Sequence, residues 1–210
     1  MTLPFPPVLV ITDRRQARLP LEEMAAGLFA GGCRWLSLRE KALPAAERLA
    51  LLKRLVARGQ AHGATVTIHD DLETAAACGT GVHLPANASI AEARNRLGAG
   101  ALIGYSTHRG DEIAGAAAAG ADYVTLSPIF LTASKPGYGP ALGLEALRRP
   151  APLPVLALGG VDAGNAADCV LAGAAGIAVM GEAMRATSPR DFMADLLGRL
   201  AGRLAEPRAG

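Results

Sequence analysis

Basic and hydroxyl side chains in two parts of this sequence could bind a phosphorylated molecule. Arg39 and Lys41 stand two positions apart directly after the apolar run 34–38, and Lys135 lies in the Gly- and Pro-containing segment 131–139 with Thr132 and Ser134. Guanidinium and ammonium groups that converge on one ligand can hold a phosphate or diphosphate and stabilise it as it departs. Each cation alone would be a solvated surface charge, but the set predicts a phosphate site beneath a closing lid.

Two glycine-containing turns could bind phosphate through the backbone. Gly159 and Gly160 follow the apolar run 154–158 and precede a helix that we expect to begin between residues 162 and 165, and Met180 and Gly181 end the last apolar run. Backbone N–H groups at such turns can approach an anion, and phosphate sites are commonly built there in barrels of alternating strands and helices. The structural alternative is two tight turns that need glycine only for their backbone conformation.

Histidines and acids at other strand ends could move protons or bind a metal. His69 directly follows the apolar run 65–68, and His108 follows Ser106-Thr107 beyond the run 101–104. An imidazole can take and return a proton at neutral pH, so either could be a general acid or base; we favour His108. Asp70 could ligate Mg²⁺, whereas we expect Asp71 to cap a helix. His83 lies inside a predicted strand and could point into the protein or outward.

The elements that must position these residues repeat along the chain as an Ala-rich helical stretch, a glycine and a short β-branched run. We predict eight strands, at residues 8–11, 34–38, 65–68, 81–84, 101–104, 122–126, 154–158 and 176–180. Predicted helices include residues 21–29, 44–61, 90–97, 112–119, 165–171 and 189–204. Alternating strands and helices imply parallel βαβ units, and eight of them indicate an α/β fold with a single (β/α)₈ TIM barrel over residues 1–210. An open doubly wound sheet is disfavoured because it more often has five to seven strands, and the absence of Gly-x-Gly-x-x-Gly after the first strand argues against dinucleotide binding.

Composition narrows the classes of partner. The 210 residues carry 21 Lys and Arg against 19 Asp and Glu, so no basic excess points to nucleic acid. Apolar content is ample for a folded core, and every apolar run is too short to span a membrane. The three cysteines are widely spaced among small apolar residues, which is typical of buried thiols in a reducing cytoplasm. We therefore expect a cytoplasmic protein with a small-molecule ligand, no nucleic acid and no membrane.

Nine short segments, taken together, resemble the thiamine phosphate synthase and TenI family. In chain order they are VITD at 10–13, LREK at 38–41, GVHL at 81–84, IGYSTH at 103–108, ADY at 121–123, SPIF at 127–130, TASK at 132–135, LGGV at 158–161 and GIAVM at 176–180. The resemblance implies a (β/α)₈ barrel of thiamine biosynthesis, usually cytoplasmic and often a homodimer.

The resemblance also implies roles for individual residues. In the synthase, a hydroxymethylpyrimidine diphosphate loses pyrophosphate, and the nitrogen of a thiazole phosphate captures the resulting cation. Asp70 would bind Mg²⁺ in that reaction. The diphosphate would be held by Arg39, Lys41, Ser106 and Lys135. The thiazole phosphate would be held by Thr132, Ser134, Gly160 and the Met180–Gly181 turn.

The sequence departs from the synthase pattern at the pyrimidine and metal side. Ser37 stands where the synthase has Gln, and His69 where it has Asn. Residues 85–88 read Pro-Ala-Asn-Ala where the synthase has Gly-Gln, an acid and Asp, so the second Mg²⁺ carboxylate is replaced by Ala88. The Leu-Pro at 84–85 resembles the TenI branch, whose members isomerise a carboxythiazole phosphate by proton transfer without a metal.

Three functions follow from these resemblances and departures. We expect a TenI-like thiazole tautomerase, with His108 as the acid/base and no cofactor. The alternative is a thiamine phosphate synthase that requires Mg²⁺, since Lys41 and segment 132–135 match the synthase. A non-catalytic, thiazole-phosphate-binding regulatory barrel is the third possibility.

Overall fold

The computed structural model describes residues 2–131 and 139–204, whose eight parallel strands close into a barrel in chain order. The strands are β1 Val8–Ile11, β2 Trp35–Leu38, β3 Thr65–His69, β4 Val82–Leu84, β5 Ile103–Thr107, β6 Tyr123–Leu126, β7 Val155–Ala157 and β8 Gly176–Val179. β1 pairs with β8 as well as with β2, so no strand edge is left open. The predicted (β/α)₈ TIM barrel is confirmed.

Helices follow the strands and cover the outside of the barrel. They are α1 Leu21–Ala30, α2 Ala45–Gln60, α3 Leu72–Cys78, α4 Ile90–Leu97, α5 Glu112–Ala118, α6 Ala166–Leu171, α7 Gly181–Arg185 and α8 Pro189–Leu200. Between β6 and β7 the described residues form a 3₁₀ turn, Leu144–Leu147. None of the described helices combines the length and the apolar character needed to cross a membrane.

Side-chain caps begin several of these helices. Asp71 accepts a hydrogen bond from the Thr74 amide at 2.9 Å at the start of α3, as predicted. Ser89 and Ser188 accept in the same way at the starts of α4 and α8. Such caps satisfy amides that have no partner within the helix, so these helix starts are encoded locally.

The core has two layers, because successive strand residues point to opposite faces. Val8 and Val10 of β1 pack outward against the helices, whereas Leu9 and Ile11 point into the barrel. The barrel interior is filled by Leu9, Ile11, Trp35, Leu102, Tyr123, Leu156 and Ala178. The rings of Trp35 and Tyr123 meet edge to face with centroids 4.7 Å apart, so two aromatic side chains close much of the interior.

The predicted bounds of two strands, β3 and β5, end too early: the prediction for β3 is one residue short, and that for β5 is shifted toward the N-terminus. β5 spans Ile103–Thr107, not 101–104, and β3 extends to His69. The backbone of Ser106 pairs in register with Thr125 of β6, and that of His69 with His83 of β4. The apolar pattern missed these residues because strand positions that face a polar cavity carry polar side chains. Ser106 therefore lies inside the barrel wall, not in the loop after it.

Candidate active site

A cavity of about 410 Å³ opens at the carboxyl ends of the strands. Each of the eight strands contributes a lining residue or the residue that directly follows it, which for β6 is Ser127. Carboxyl-terminal strand ends carry the active sites of barrels of this kind, because eight loops converge there.

Most of the predicted site residues that the structure describes line this one cavity. They are Arg39, Lys41, His69, Ser106, His108, Gly159, Gly160, Met180 and Gly181. Asp70 is not among the described lining residues, but it contacts one of them. The predicted lid residues Thr132, Ser134 and Lys135 lie outside the described residues, so their roles stay predictions.

A buried carboxylate holds the backbone around Arg39. The Thr12 hydroxyl accepts a hydrogen bond from the Arg39 amide at 2.9 Å and donates to Glu40 Oε1 at 2.9 Å. Glu40 also accepts from the Arg14 amide at 3.0 Å, and burial raises the pKa of its carboxyl. The ends of β1 and β2 are thereby tied together, which fixes the backbone from which the Arg39 side chain enters the cavity.

Lys41 and Asp70 form an ion pair between the segments that follow β2 and β3. The Lys41 ammonium lies 2.8 Å from Asp70 Oδ2, and both side chains are partly exposed. Asp70 has a left-handed backbone, with φ of 57°, and its amide donates to the carbonyl of His83 at 3.0 Å. The Asp70 carboxylate, the candidate metal ligand, is therefore paired with the Lys41 ammonium at the cavity rim.

The described residues do not fit a protein-held Mg²⁺ ion. Among them, no cluster of three His, Cys, Asp or Glu side chains is arranged as a metal site. Asp70 is paired with Lys41, and Ala88, which stands where the family resemblance places a second acid, packs against the hydrophobic core. Mg²⁺ prefers carboxylate oxygens together with substrate phosphate, and here at most one carboxylate is supplied.

His108 is held in one orientation at the cavity wall. Its Nδ1 lies 3.0 Å from the carbonyl oxygen of Ser127, which can only accept, so Nδ1 carries the hydrogen in the neutral ring. The lone pair of that tautomer is then on Nε2, as a general base needs. The His108 amide donates to Glu112 Oε2 at 2.8 Å, which anchors the backbone at the start of α5.

His83, whose direction the sequence left open, points into the barrel and lines the cavity. Its Nε2 lies 3.0 Å from Ser106 Oγ and its Nδ1 lies 3.0 Å from the Tyr123 hydroxyl. The His69 ring stacks on it with centroids 5.3 Å apart. Burial lowers the pKa of His83 well below its ordinary value, and the nearby His69 lowers it further. His83 is therefore a neutral, hydrogen-bonded imidazole at the cavity floor.

The Gly159–Gly160 turn borders the cavity, and its glycines are required by the backbone. Their φ angles are 92° and 64°, and a Cβ would lie 2.7 Å from Pro128 Cα at Gly159 and 2.5 Å from the Leu131 carbonyl oxygen at Gly160. Both glycines are therefore required by the backbone conformation. Both also line the cavity, so a phosphate-binding role for the turn is compatible with this structural one.

The helix after this turn starts later than we expected. α6 begins at Ala166, and the Asp162 carboxylate accepts hydrogen bonds from the amides of Gly164 and Asn165. Asp162 therefore engages the amides of Gly164 and Asn165, and the phosphate contact of the Gly159–Gly160 turn stays a prediction. Val161 and Asp162 line the cavity together with the turn.

Arg185 is a lining residue that the sequence did not reveal. Its guanidinium lies against Gly181 and donates to Gln16 Oε1 at 2.6 Å, and it pairs with Glu182 at 3.3 Å. Gln16 in turn donates to the Asp13 carboxylate at 2.8 Å. Arg185 and Gln16 are 169 positions apart in sequence, so no local pattern could have joined them. The arrangement adds a third described cation to the cavity, beside the Met180–Gly181 turn.

Comparisons with known proteins agree with this geometry. The sequence model of thiamine monophosphate synthase matches residues 8–183. A putative thiamine-phosphate synthase of Geobacter sulfurreducens is 39% identical over 91% of this chain and 92% of its own length. The thiamine-phosphate synthase of Methanoculleus marisnigri is 38% identical over 95% of this chain and 97% of its own.

A solved structure extends the likeness to three dimensions. Thiamine phosphate pyrophosphorylase from Pyrococcus furiosus superposes with a TM-score of 0.85 and 28% identity, over 94% of this chain and 96% of that one. The family match covers more than half of the chain and includes all eight strands. The described residues that resembled thiamine biosynthesis enzymes therefore lie on the expected barrel, and the chain belongs to the thiamine monophosphate synthase family.

Proposed function

We propose that this chain is a thiamine-phosphate synthase, which joins a hydroxymethylpyrimidine diphosphate to a thiazole phosphate and releases pyrophosphate. The observation that carries the proposal is that one cavity has, on two sides, groups that are able to bind phosphate. Arg39 and Lys41 follow β2, whereas the Gly159–Gly160 turn and Arg185 follow β7 and β8. Two phosphorylated substrates need two such places. The names of the relatives favour this reaction over the tautomerase that the sequence led us to expect.

Each proposed role follows from the chemistry of the side chain. The C–O bond to the diphosphate breaks with its electron pair leaving on pyrophosphate, and Arg39 and Lys41 offset that developing charge. The Ser106 hydroxyl donates a hydrogen bond to the same group. The lone pair of the thiazole nitrogen then forms the C–N bond, while the turns after β7 and β8 and Arg185 hold the thiazole phosphate. Lys135, Thr132 and Ser134 would cover the ligands.

The test is a coupling assay with both substrates on the full chain. We expect thiamine phosphate and pyrophosphate to form in equal amounts, and Arg39→Gln to lower kcat by roughly 100-fold, as removal of one charge-stabilising donor does elsewhere. Arg54→Gln is the matched control, since Arg54 pairs with Glu22 on the surface away from the cavity. A wild-type protein that forms no product over a range of Mg²⁺ concentrations would overturn the proposal.

A second function is favoured by one specific feature, the combination of an Asp70 carboxylate paired with Lys41 and a cavity-lining His108 whose Nδ1 is hydrogen-bonded to the Ser127 carbonyl. The TenI-like tautomerase needs proton transfer and no metal, and His108 presents its Nε2 lone pair while Ser127 fixes its tautomer. In that case the purified protein converts the tautomeric carboxythiazole phosphate to its aromatic form without Mg²⁺, and His108→Ala abolishes the conversion. An unchanged rate in His108→Ala would eliminate this role. If both ligands bind and neither reaction runs, the regulatory barrel remains.

We also propose a setting for this chemistry. The partners are small phosphorylated molecules, the compartment is the cytoplasm, and the assembly is a homodimer. Cys33, Cys78 and Cys169 are free thiols in the structure, and burial raises the pKa of Cys33 to about 12, which keeps that thiol protonated and unreactive. Sedimentation of the purified chain tests the dimer, since a monomer at micromolar concentration would contradict it.

A further inference from the structure

Tyr123, His83 and Ser106 form a continuous hydrogen-bonded line from the interior of the barrel to the cavity. Tyr123 is fully buried and His83 is 1% exposed, whereas Ser106 is part-buried and lines the cavity. The two links are 3.0 Å each, from the Tyr123 hydroxyl to Nδ1 and from Nε2 to Ser106 Oγ. The line joins three different strands, β6, β4 and β5.

The direction of the first hydrogen bond follows from the chemistry of a buried phenol. Burial raises the pKa of Tyr123, so the hydroxyl keeps its hydrogen at neutral pH. A buried hydroxyl hydrogen without an acceptor costs free energy, and His83 Nδ1 lies within hydrogen-bonding distance. Tyr123 therefore donates, and Nδ1 accepts.

The second hydrogen bond then has its direction set as well. His83 is 1% exposed, and burial favours the neutral imidazole, which carries one hydrogen. With Nδ1 accepting, that hydrogen is on Nε2 and is donated to Ser106 Oγ, with Thr125 Oγ1 as a more distant acceptor at 3.4 Å. The Ser106 hydrogen cannot point back to His83, so it is available to the cavity.

The surrounding residues hold this line in place. A Cβ at position 104 would overlap both the Tyr123 phenol and His83 Nδ1, so Gly104 leaves the space in which they meet. Trp35 packs edge to face against the Tyr123 ring, and His69 stacks on His83. The phenol and the imidazole therefore have little freedom to turn.

We propose that Tyr123 is a positioning residue that, by donating to His83, fixes the imidazole tautomer and thereby directs the Ser106 hydroxyl hydrogen toward a ligand phosphate oxygen. Tyr123 does not touch the ligand and acts only through the other two residues. The contact between Ser106 and a ligand phosphate rests on the proposed function, whereas the His83 tautomer is a property of the unliganded protein.

The direct test is the ¹⁵N spectrum of histidine-labelled, ligand-free protein. We expect His83 to be in the Nε2–H form in the wild type and in Tyr105→Phe. Tyr105 is a matched control, because its hydroxyl accepts from the Asn87 amide and lies outside the line. In Tyr123→Phe, the hydroxyl that donates to His83 Nδ1 is removed. The signal of Nδ1 should therefore shift, and the Nδ1–H form of His83 should gain population. A wild-type His83 in the Nδ1–H form would overturn the inference.

Ser106→Ala separates the cause from its effect. Tyr123 still donates to Nδ1 in this variant, so the Nε2–H form should persist; a switch to Nδ1–H would show that Ser106, not Tyr123, sets the tautomer.

In the coupling assay we expect Tyr123→Phe to lower kcat about tenfold with KM nearly unchanged, and to have no further effect when Ser106 is already Ala. Additive losses would overturn the inference. If the wild type has no coupling activity, the proposed function fails while the ¹⁵N spectrum still tests the tautomer.

Discussion

The ammonium of Lys41 lies 2.8 Å from the carboxylate of Asp70, so the candidate diphosphate-binding cation and the candidate metal-binding acid neutralise each other at the cavity rim. An ion pair this exposed contributes little to stability, on the order of 0–1 kcal/mol. Its consequence is instead functional. In the proposed function, a diphosphate that binds Lys41 competes with Asp70 for the ammonium.

Restoring the second acid should strengthen Mg²⁺ binding. We expect Ala88→Asp to lower the Mg²⁺ concentration that gives half-maximal coupling by about tenfold, because a second carboxylate supplies a further hard oxygen ligand. Calorimetric titration with Mg²⁺ in the presence of pyrophosphate checks this without turnover. Ala45→Asp, which adds the same charge at the exposed start of α2, is the control. Equal Mg²⁺ affinities in all three proteins would show that position 88 does not face the ion.

Removing the guanidinium beside Gly181 should weaken binding of the thiazole phosphate alone. We expect Arg185→Gln to raise KM for that substrate by about tenfold, since one charge-assisted hydrogen bond to phosphate is lost from a half-exposed site. The KM for the pyrimidine diphosphate and kcat should change little. Arg148→Gln provides the comparison, because Arg148 forms a similar (i, i+3) pair with Glu145 outside the cavity lining. A larger effect on the pyrimidine substrate would assign Arg185 to the other subsite.

A methyl group at the turn after β7 should reduce both stability and phosphate binding. In Gly160→Ala the Cβ would press against the Leu131 carbonyl, and the φ of 64° already disfavours an L side chain. We expect a loss of more than about 1 kcal/mol in the free energy of unfolding, measured in urea. Gly143→Ala has a similar φ of 72° but nothing within 4 Å, so it isolates the backbone strain from the clash. Equal losses in the two variants would contradict a role for close packing at Gly160.

The Asp71 cap should make stability depend on pH. Burial raises the pKa of Asp71, but hydrogen bonds from Thr74 and Arg48 outweigh that effect, so the pKa is below its ordinary value of 3.8. A carboxyl with a lowered pKa in the folded state stabilises the protein above its unfolded pKa, and that contribution is lost as pH falls below about 3.8.

Two substitutions divide this contribution. Asp71→Asn keeps an acceptor for the Thr74 amide and removes the 2.6 Å pair with Arg48, whereas Asp71→Ala removes both. We expect Asp71→Ala to cost an additional 0.5–2 kcal/mol or so, the usual value of an N-cap. Thermal unfolding between pH 3 and pH 7 is the measurement. If the difference in thermal stability between wild type and Asp71→Asn did not shrink toward acid pH, the charge of Asp71 would not be what stabilises the protein.

Local patterns were enough to predict the fold because each βαβ unit carries its own signals. A glycine after an Ala-rich stretch and then a β-branched run marks each strand, as in residues 120–126 before and within β6. The same patterns failed where a strand enters the cavity. Tyr105, Ser106 and Thr107 are polar or amphipathic, so an apolar search ended β5 before them.

The sequence by itself determined the eight-fold alternation, the family, and the set of polar residues that gather at the strand ends, since these depend on short-range periodicity and on motifs. Only the tertiary structure decided that His83 points inward between Tyr123 and Ser106, that Lys41 holds Asp70, and that Arg185 reaches Gln16. The physical reason is that each of these contacts joins residues on different strands or loops. Barrel closure sets their distance, and no local spacing encodes it.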